Sequence, residues 1–302
     1  MSPRGWRPEC CAYSTSPDNA LVSAWICVRC GVQYPDTEAP PTGCSLCEDE
    51  REVVNADGQQ WTTTAQLAQM HVTELRDEEP GLLGVGVTPS FAIGQRALLV
   101  RTPHGNVLWD CVSLVDAAAR RALHALGGVS AICVSHPHFY GANVEIAEAF
   151  DARVFLPRAD ERWIQRPSSR VELFDDEVQP VPGVTVARVG GHFEGSAVLH
   201  WPSGADGRGV LLTGDTIMVV EDRGWVSFMW SYPNLVPLDP ATIEDVARRV
   251  GWFRFARVYG GWWGHTVSDD GAEVVRRSAD RYLDRVRGHR PGRSNARRTG
   301  TG

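Results

Sequence analysis

The sequence predicts an α/β protein: a four-layer αββα sandwich, with two sheets face to face and helices outside them, preceded by a small four-cysteine metal ribbon. Three observations predict it. From about residue 81 to residue 288, short apolar runs of strand character alternate with helix-like segments in two similar halves, a pattern that favours two sheets with helices packed outside. Several of these runs stop abruptly at glycine or at a side chain able to hold a metal, so polar residues gather at strand ends. Ahead of them, Cys27-x-x-Cys30 and Cys44-x-x-Cys47 form two close pairs with thirteen residues between.

The elements follow in order. "FAIGQRALLV" and "NVLWDCV" read as strands separated by the turn "TPHGN". A helix follows, capped by Ser113 in a Ser-x-x-acid box completed by Asp116; Val115, Ala119, Ala122, Leu123 and Leu126 line one face until Gly127-Gly128 stops it. Strand "VSAICVSH", helix "NVEIAEAF", strand "RVFLP" and short helix "ADERWIQ" complete the first half. The second half has strands at "VTVARVG", "SAVLHWP" and "GVLLTGD", a helix started by Asp239-Pro240, strand "RVYGGWW" and a last helix after Ser268. The expected organisation is a flexible lead at 1–24, the cysteine module at 25–50, a connector at 51–80, the main domain at 81–288 and a disordered basic tail at 289–302.

Composition restricts the function classes. A chain of 302 residues with 43% hydrophobic and 22% charged residues is ordinary for a folded protein, and no apolar run reaches the roughly 18 residues that cross a bilayer. No membrane partner is expected. The N-terminus lacks the apolar stretch of a signal peptide, so the expected location is cytoplasmic. A net charge of −7 argues against a nucleic-acid partner, because phosphate neutralisation calls for a basic surface. All thirty basic residues are arginine, which excludes an active-site lysine.

The two Cys-x-x-Cys pairs place Cys27, Cys30, Cys44 and Cys47 to hold one ion tetrahedrally, in a segment with too little apolar surface to fold otherwise. The segment resembles zinc ribbons and, through Trp25, Gly31 and Tyr34, rubredoxin-like modules. Zinc and iron both accept four sulfurs, so zinc or iron is expected there. Cys111 and Cys133 lie inside apolar segments and read as buried hydrophobes.

Four strand endings, "AICVSHPHFYG", "VARVGGHFEGS", "VLLTGDT" and "RVYGGWWGHTV", supply His136 and His138, His192, Asp215, and His265. Alternate residues of an extended segment project to one side, so His136 and His138 can face the same ion. Three imidazoles and a carboxylate suit zinc, and iron or manganese are acceptable.

This succession resembles the metallo-β-lactamase fold superfamily over about residues 81–288, with its His-x-His-x-Asp-His loop, downstream Gly-His, strand ending in Gly-Asp and late Gly-His. By that resemblance His136 and His138 match the first two histidines, His192 the third, Asp215 the bridging aspartate and His265 the last histidine. Two positions depart: Tyr140-Gly141 stands where the family has Asp-His. The family's second ion loses half its ligands that way. The resemblance therefore implies a mononuclear site of His136, His138, His192 and Asp215, with His265 behind the ligands or in proton transfer.

Asp215 is a candidate base, and Tyr140 a candidate donor to a developing oxyanion or a cavity filler. Trp262 or Trp263, just before His265, is expected to wall the pocket and favour an apolar or aromatic small-molecule substrate, and "WSYPN" at 230–234 is a candidate lid. Glu194 and His200 read as exposed or structural, and Arg158, Arg166 and Arg170 as solvating residues.

The expected function is an enzyme, a metal-dependent hydrolase directing water against an ester, amide, thioester or lactone. The alternatives are a non-haem iron oxidoreductase fed with electrons by the four cysteines, and a non-catalytic binding protein.

Overall fold

The computed structural model describes residues 22–288. Most of the expected lead, with Cys10 and Cys11, and the whole expected tail lie outside the described residues.

A seven-stranded sheet runs in the order Val171–Phe174, Arg153–Pro157, Ala131–Cys133, Val107–Trp109, Ala97–Val100, Leu82–Thr88, Val72–Glu79. A six-stranded sheet runs Glu177–Val181, Val184–Arg188, Ala197–Trp201, Val210–Leu212, Arg257–Tyr259, Thr266–Val267. Successive side chains of a strand point to opposite faces, and each central strand accordingly feeds two cores. Leu98, Val100, Val107 and Trp109 pack between the sheets against Val186, Leu199, Leu212 and Tyr259. Ala97, Leu99 and Leu108 instead face Ala119, Leu123, Ile146 and Ala147 of the helices Ala117–Ala125 and Asn143–Phe150. On the far side Val198, Leu211 and Val258 face Ile243, Val246, Val274 and Val275 of the helices Pro240–Val250 and Gly271–Val286. Helix, sheet, sheet, helix: four layers result, as the alternation of elements predicts.

The helix ends carry one correction. Asp116, not Ser113, caps the helix Ala117–Ala125, accepting hydrogen bonds from the amides of Ala118 and Ala119. Ser113 Oγ donates to the carbonyl of Gly31 at 2.8 Å, tying the main domain to the cysteine module. Asp239 caps Pro240–Val250 as expected. "ADERWIQ" forms a 3-10 helix at Arg158–Trp163.

Residues 51–80 do more than connect. Trp61–Thr63 joins Ser23–Cys27 and Gln33–Thr37 in a three-stranded ribbon, and Thr63 starts the helix Thr64–Met70 with a capping box closed by Gln66. Val72–Glu79 then forms the edge of the large sheet, paired antiparallel with Leu82–Thr88 through a turn at Gly81, φ 87°. Gly84 and Gly86 in that neighbour let Trp263 lie flat on the strand; a Cβ at Gly84 would stand 2.4 Å from the indole. Trp263 is thereby fixed beneath Arg76 and Arg96, whose guanidinium carbons sit 4.5 Å and 5.5 Å from its ring.

No helix among the described residues is long and apolar enough to cross a membrane.

Candidate metal centres

Three segments carry the histidines. The strand Ala131–Cys133 runs on through Val134 and Ser135 to His136, and a 3-10 turn at Pro137–Phe139 holds His138. The loop after Val184–Arg188 holds His192. One ring nitrogen from each of His136, His138 and His192 falls within 4.8 Å of the others, and all three side chains are buried. His138 Nδ1 lies 3.3 Å from His192 Nε2.

Neighbours fix the rings. Ser135 Oγ is 2.9 Å from His136 Nδ1, and the carbonyl of Met229 accepts from His192 Nδ1 at 3.2 Å, which leaves Nε2 of His192 free to offer a lone pair. Asp110 holds the Ser135 amide at 2.7 Å, and burial raises its carboxyl to about 7. Burial and neighbouring imidazoles push His136 well below the ordinary histidine range; burial does the same to His138 and takes His192 to about 4. Neutral imidazole is the ligating form.

Asp215 reaches this group through His136, with Oδ2 3.5 Å from Nε2. Its Oδ1 has no partner, nor do His136 Nε2 and His138 Nε2, and burial raises its carboxyl well above the usual range. Buried orphan polar atoms are costly, about 1–3 kcal/mol each, and two of these belong to side chains, His136 and Asp215, that meet at 3.5 Å, which fits a cation. The donor set of nitrogen and carboxylate oxygen fits zinc.

His265 stands apart from the three imidazoles. Its Nδ1 lies 2.8 Å from the carbonyl of Val219 and its Nε2 3.7 Å from Glu221. Trp262 links it to the site, with its ring 6.0 Å from His265 and 5.7 Å from Phe139, which packs 4.4 Å from His136. Trp262, not Trp263, is the indole on the site's side.

Tyr140 is fully buried, and its hydroxyl has no partner. Burial raises it, and the nearby Asp160 raises it further. Gly141 has φ 48°, a left-handed conformation, and a Cβ there would stand 2.7 Å from the carbonyl of Val112. Its own carbonyl accepts the amide of Gln33, from the cysteine module, at 3.0 Å. The departure Tyr140-Gly141 thus coincides with a docking contact.

The second centre is the module itself. The sulfurs of Cys27, Cys30, Cys44 and Cys47 lie within 4.8 Å of one another, with Cys27–Cys47 and Cys30–Cys44 at 3.6 Å. That is far longer than the roughly 2.05 Å of a disulfide and fits four thiolates around one ion. Gln59 Nε2 donates to Cys27 Sγ at 3.2 Å.

Several residues at the histidine site carry no sequence signal. Arg51, four residues past Cys47, donates from Nε to the carbonyl of His192 at 2.9 Å. The loop "WSYPN" does border the site: Tyr232 donates to the carbonyl of Asp215 at 2.8 Å, and its ring is 5.7 Å from His192. Arg166 is not a solvating residue; it hydrogen-bonds Gln33 and pairs with Asp36 at 3.3 Å, clamping the module to the main domain. Arg158 and Arg170 pair with Asp175 and Asp151. Glu194 is exposed beside Arg162, and His200 is a strand residue bonded to the carbonyl of Arg254.

Comparison with known proteins identifies the family and the fold. The sequence pattern of the Metallo-beta-lactamase superfamily matches residues 92–263. The uncharacterized protein YmaE of Bacillus subtilis (strain 168) is 44% identical over 262 residues, covering 86% of this chain and 95% of its own. The crystal structure of VMB-1 at pH 5.5 superposes with a TM-score of 0.53 at 14% identity, over 71% of this chain and 98% of that one.

Proposed function

The chain belongs to the metallo-beta-lactamase superfamily, and from that premise we propose that it is a metal-dependent hydrolase with one catalytic ion, held by His136, His138, His192 and Asp215. The observation that carries this reading is the convergence of three buried imidazoles within 4.8 Å from separate segments. A divalent ion bound there supplies Lewis acidity, polarising a carbonyl and acidifying water.

The chain's own groups do the rest. Ser135 and the Met229 carbonyl orient the imidazoles, and burial keeps them neutral. Asp215, which the bound ion would keep as a carboxylate, takes the proton of the attacking water on its free Oδ1. Tyr140, with an unengaged hydroxyl, donates to the developing oxyanion. His265, outside the ligand group and partly exposed, gives a proton taken up from solvent to the leaving group, while Asp215 releases the proton of the water to solvent. Phe139 and Phe193 pack against the imidazoles from within the core, with Trp262 partly exposed beyond Phe139, and these apolar rings favour an apolar or aromatic ester, thioester, lactone or amide. Zinc is proposed at the histidines, and zinc or iron at Cys27, Cys30, Cys44 and Cys47.

Elemental analysis of protein purified without added metal, paired with turnover of a panel of such substrates, tests the proposal. Two ions per chain and a hydrolysed substrate are expected. A second reading is an iron oxidoreductase relaying electrons from the cysteines, and the packing of the module into the same core as Phe139 and Phe193 favours it. Iron at both centres with a visible absorption band, and no hydrolysis, would replace the first reading by the second.

A further inference from the structure

The segment that follows Cys47 closes over the histidine centre. Arg51 Nε donates to the carbonyl of His192 at 2.9 Å, and its side chain is 9% exposed. The guanidinium lies between two rings, 4.5 Å from the centroid of Phe193 and 4.8 Å from that of Trp230, and its NH1 pairs with Asp49 at 2.8 Å. The backbone of the same segment is latched from the other side. Ser231 Oγ donates to the carbonyl of Arg51 at 2.8 Å, and Asn234 Nδ2 to those of Glu50 and Glu52 at 3.0 Å and 3.3 Å. The module end of the segment is fixed at the knuckle, where the amides of Cys47 and Glu48 both donate to the carbonyl of Cys44.

We propose that Arg51 is a positioning residue for His192, through which the four-cysteine module sets the geometry of the histidine centre. His192 sits in an irregular loop, with its ring located by the Met229 carbonyl and by His138, and its backbone carbonyl by Arg51. Arg51 also holds Phe193, whose ring is 4.9 Å from His138, so one guanidinium aligns two of the three imidazoles. A planar guanidinium does this where an ammonium cannot, because it stacks on both rings while donating in its own plane. The proposal rests on the reading of the three histidines as a metal centre.

Cobalt(II) titration of the full chain, stripped of metal, tests it. Thiolate-to-cobalt charge transfer reports the cysteine cluster, and the d–d absorption that remains after the spectrum of the cysteine-bound cobalt is subtracted reports the histidine centre. In Arg51→Ala the charge-transfer band is expected unchanged, while the histidine centre binds cobalt about 10- to 100-fold more weakly. Its d–d bands at saturation are expected to shift, which simple loss of stability would not cause. Arg51→Lys, keeping the bond to the His192 carbonyl without the stacking, is expected to restore part of the affinity. Ser231→Ala, which frees the latch and leaves the guanidinium in place, is expected to weaken binding about 3- to 10-fold; it decides the matter should Arg51→Ala lose the charge-transfer band. Wild-type affinity and bands in Arg51→Ala, or in Ser231→Ala in that event, overturn the positioning role alone. A wild-type chain that takes up cobalt only at the cysteines overturns the histidine centre and the positioning role together.

Discussion

His192 Nε2 and His138 Nδ1 face each other at 3.3 Å inside the protein, although 54 residues separate them in the chain. The Met229 carbonyl occupies the other nitrogen of His192, so the nitrogen turned toward His138 carries a lone pair. Burial keeps both rings neutral, so His138 in the tautomer with an unprotonated Nδ1 would offer a second lone pair to an ion held between them. His138→Ala and His192→Ala are each expected to retain the cysteine-bound ion, lose the second, and lower turnover by at least about 100-fold, the upper end of what removing an outer-shell partner costs. Metal content per chain and steady-state rates check this.

His265 separates a ligand from a proton carrier. Its partners are the Val219 carbonyl and Glu221 rather than the three imidazoles. His265→Ala is expected to keep both ions and lose roughly 100-fold in turnover, the lower end of general acid–base effects. Loss of an ion in this variant would make it a ligand instead.

Much of this was legible in the sequence because strand endings are marked by composition. "VLLTGD" and "AICVSH" advertise both an apolar strand and the polar residue at its tip, and the four layers follow from such alternation. The edge strand Val72–Glu79 was hidden for the opposite reason. It has one sheet neighbour and carries charge on its open side, so its pattern imitates a polar connector. Ser113 looked like a cap because the box spacing was right, but Gly31 claims its hydroxyl and Asp116 sits nearer the helix start. Arg51 carries no signal and Arg166 reads as a solvating residue, since their partners, the His192 carbonyl and Gln33, are more than a hundred residues away.

Tyr140 sets stability against catalysis. A buried hydroxyl without a partner costs about 1–3 kcal/mol. Tyr140→Phe removes that cost and keeps the ring, and the variant is expected to be more stable by about 1 kcal/mol. If the hydroxyl serves the oxyanion, turnover falls by about 100-fold or more with little change in KM. Denaturant melts and kinetics read the two effects separately, and a more stable variant with unaltered kcat would leave Tyr140 as cavity filling.

The cysteine module is expected to stand or fall with its ion. Structural zinc in small four-ligand modules supplies on the order of 10 kcal/mol, more than the ribbon's three short strands can replace. Cys44→Ser is therefore expected to lose one ion per chain and open residues 25–50 to proteolysis. Because Gln33 bonds Gly141 and Arg51 bonds His192, the histidine centre loosens in the same variant. Limited proteolysis with metal analysis follows both.

Asp160 gives the protein a specific pH dependence. Its side chain is fully buried, Oδ1 accepts the Gly195 amide at 2.8 Å, Oδ2 has no partner, and burial raises the carboxyl to about 7. The unfolded chain releases this proton near the ordinary aspartate value of about 3.9, whereas the folded chain keeps it until about 7. Between those values the folded state binds more protons than the unfolded one, so stability falls as pH rises through the window, with a slope approaching about 1.4 kcal/mol per pH unit. Asp110, raised to about 7 as well, contributes in the same direction, so the informative quantity is a difference between two proteins. Asp160→Asn keeps the acceptor for Gly195 and removes the titration. The wild type is expected to lose stability relative to this variant from pH 5 to about pH 7, in metal-loaded samples unfolded by denaturant at each pH. Parallel stability curves for the two proteins would mean that Asp160 is ionised at neutral pH, with water or a cation reaching its free oxygen.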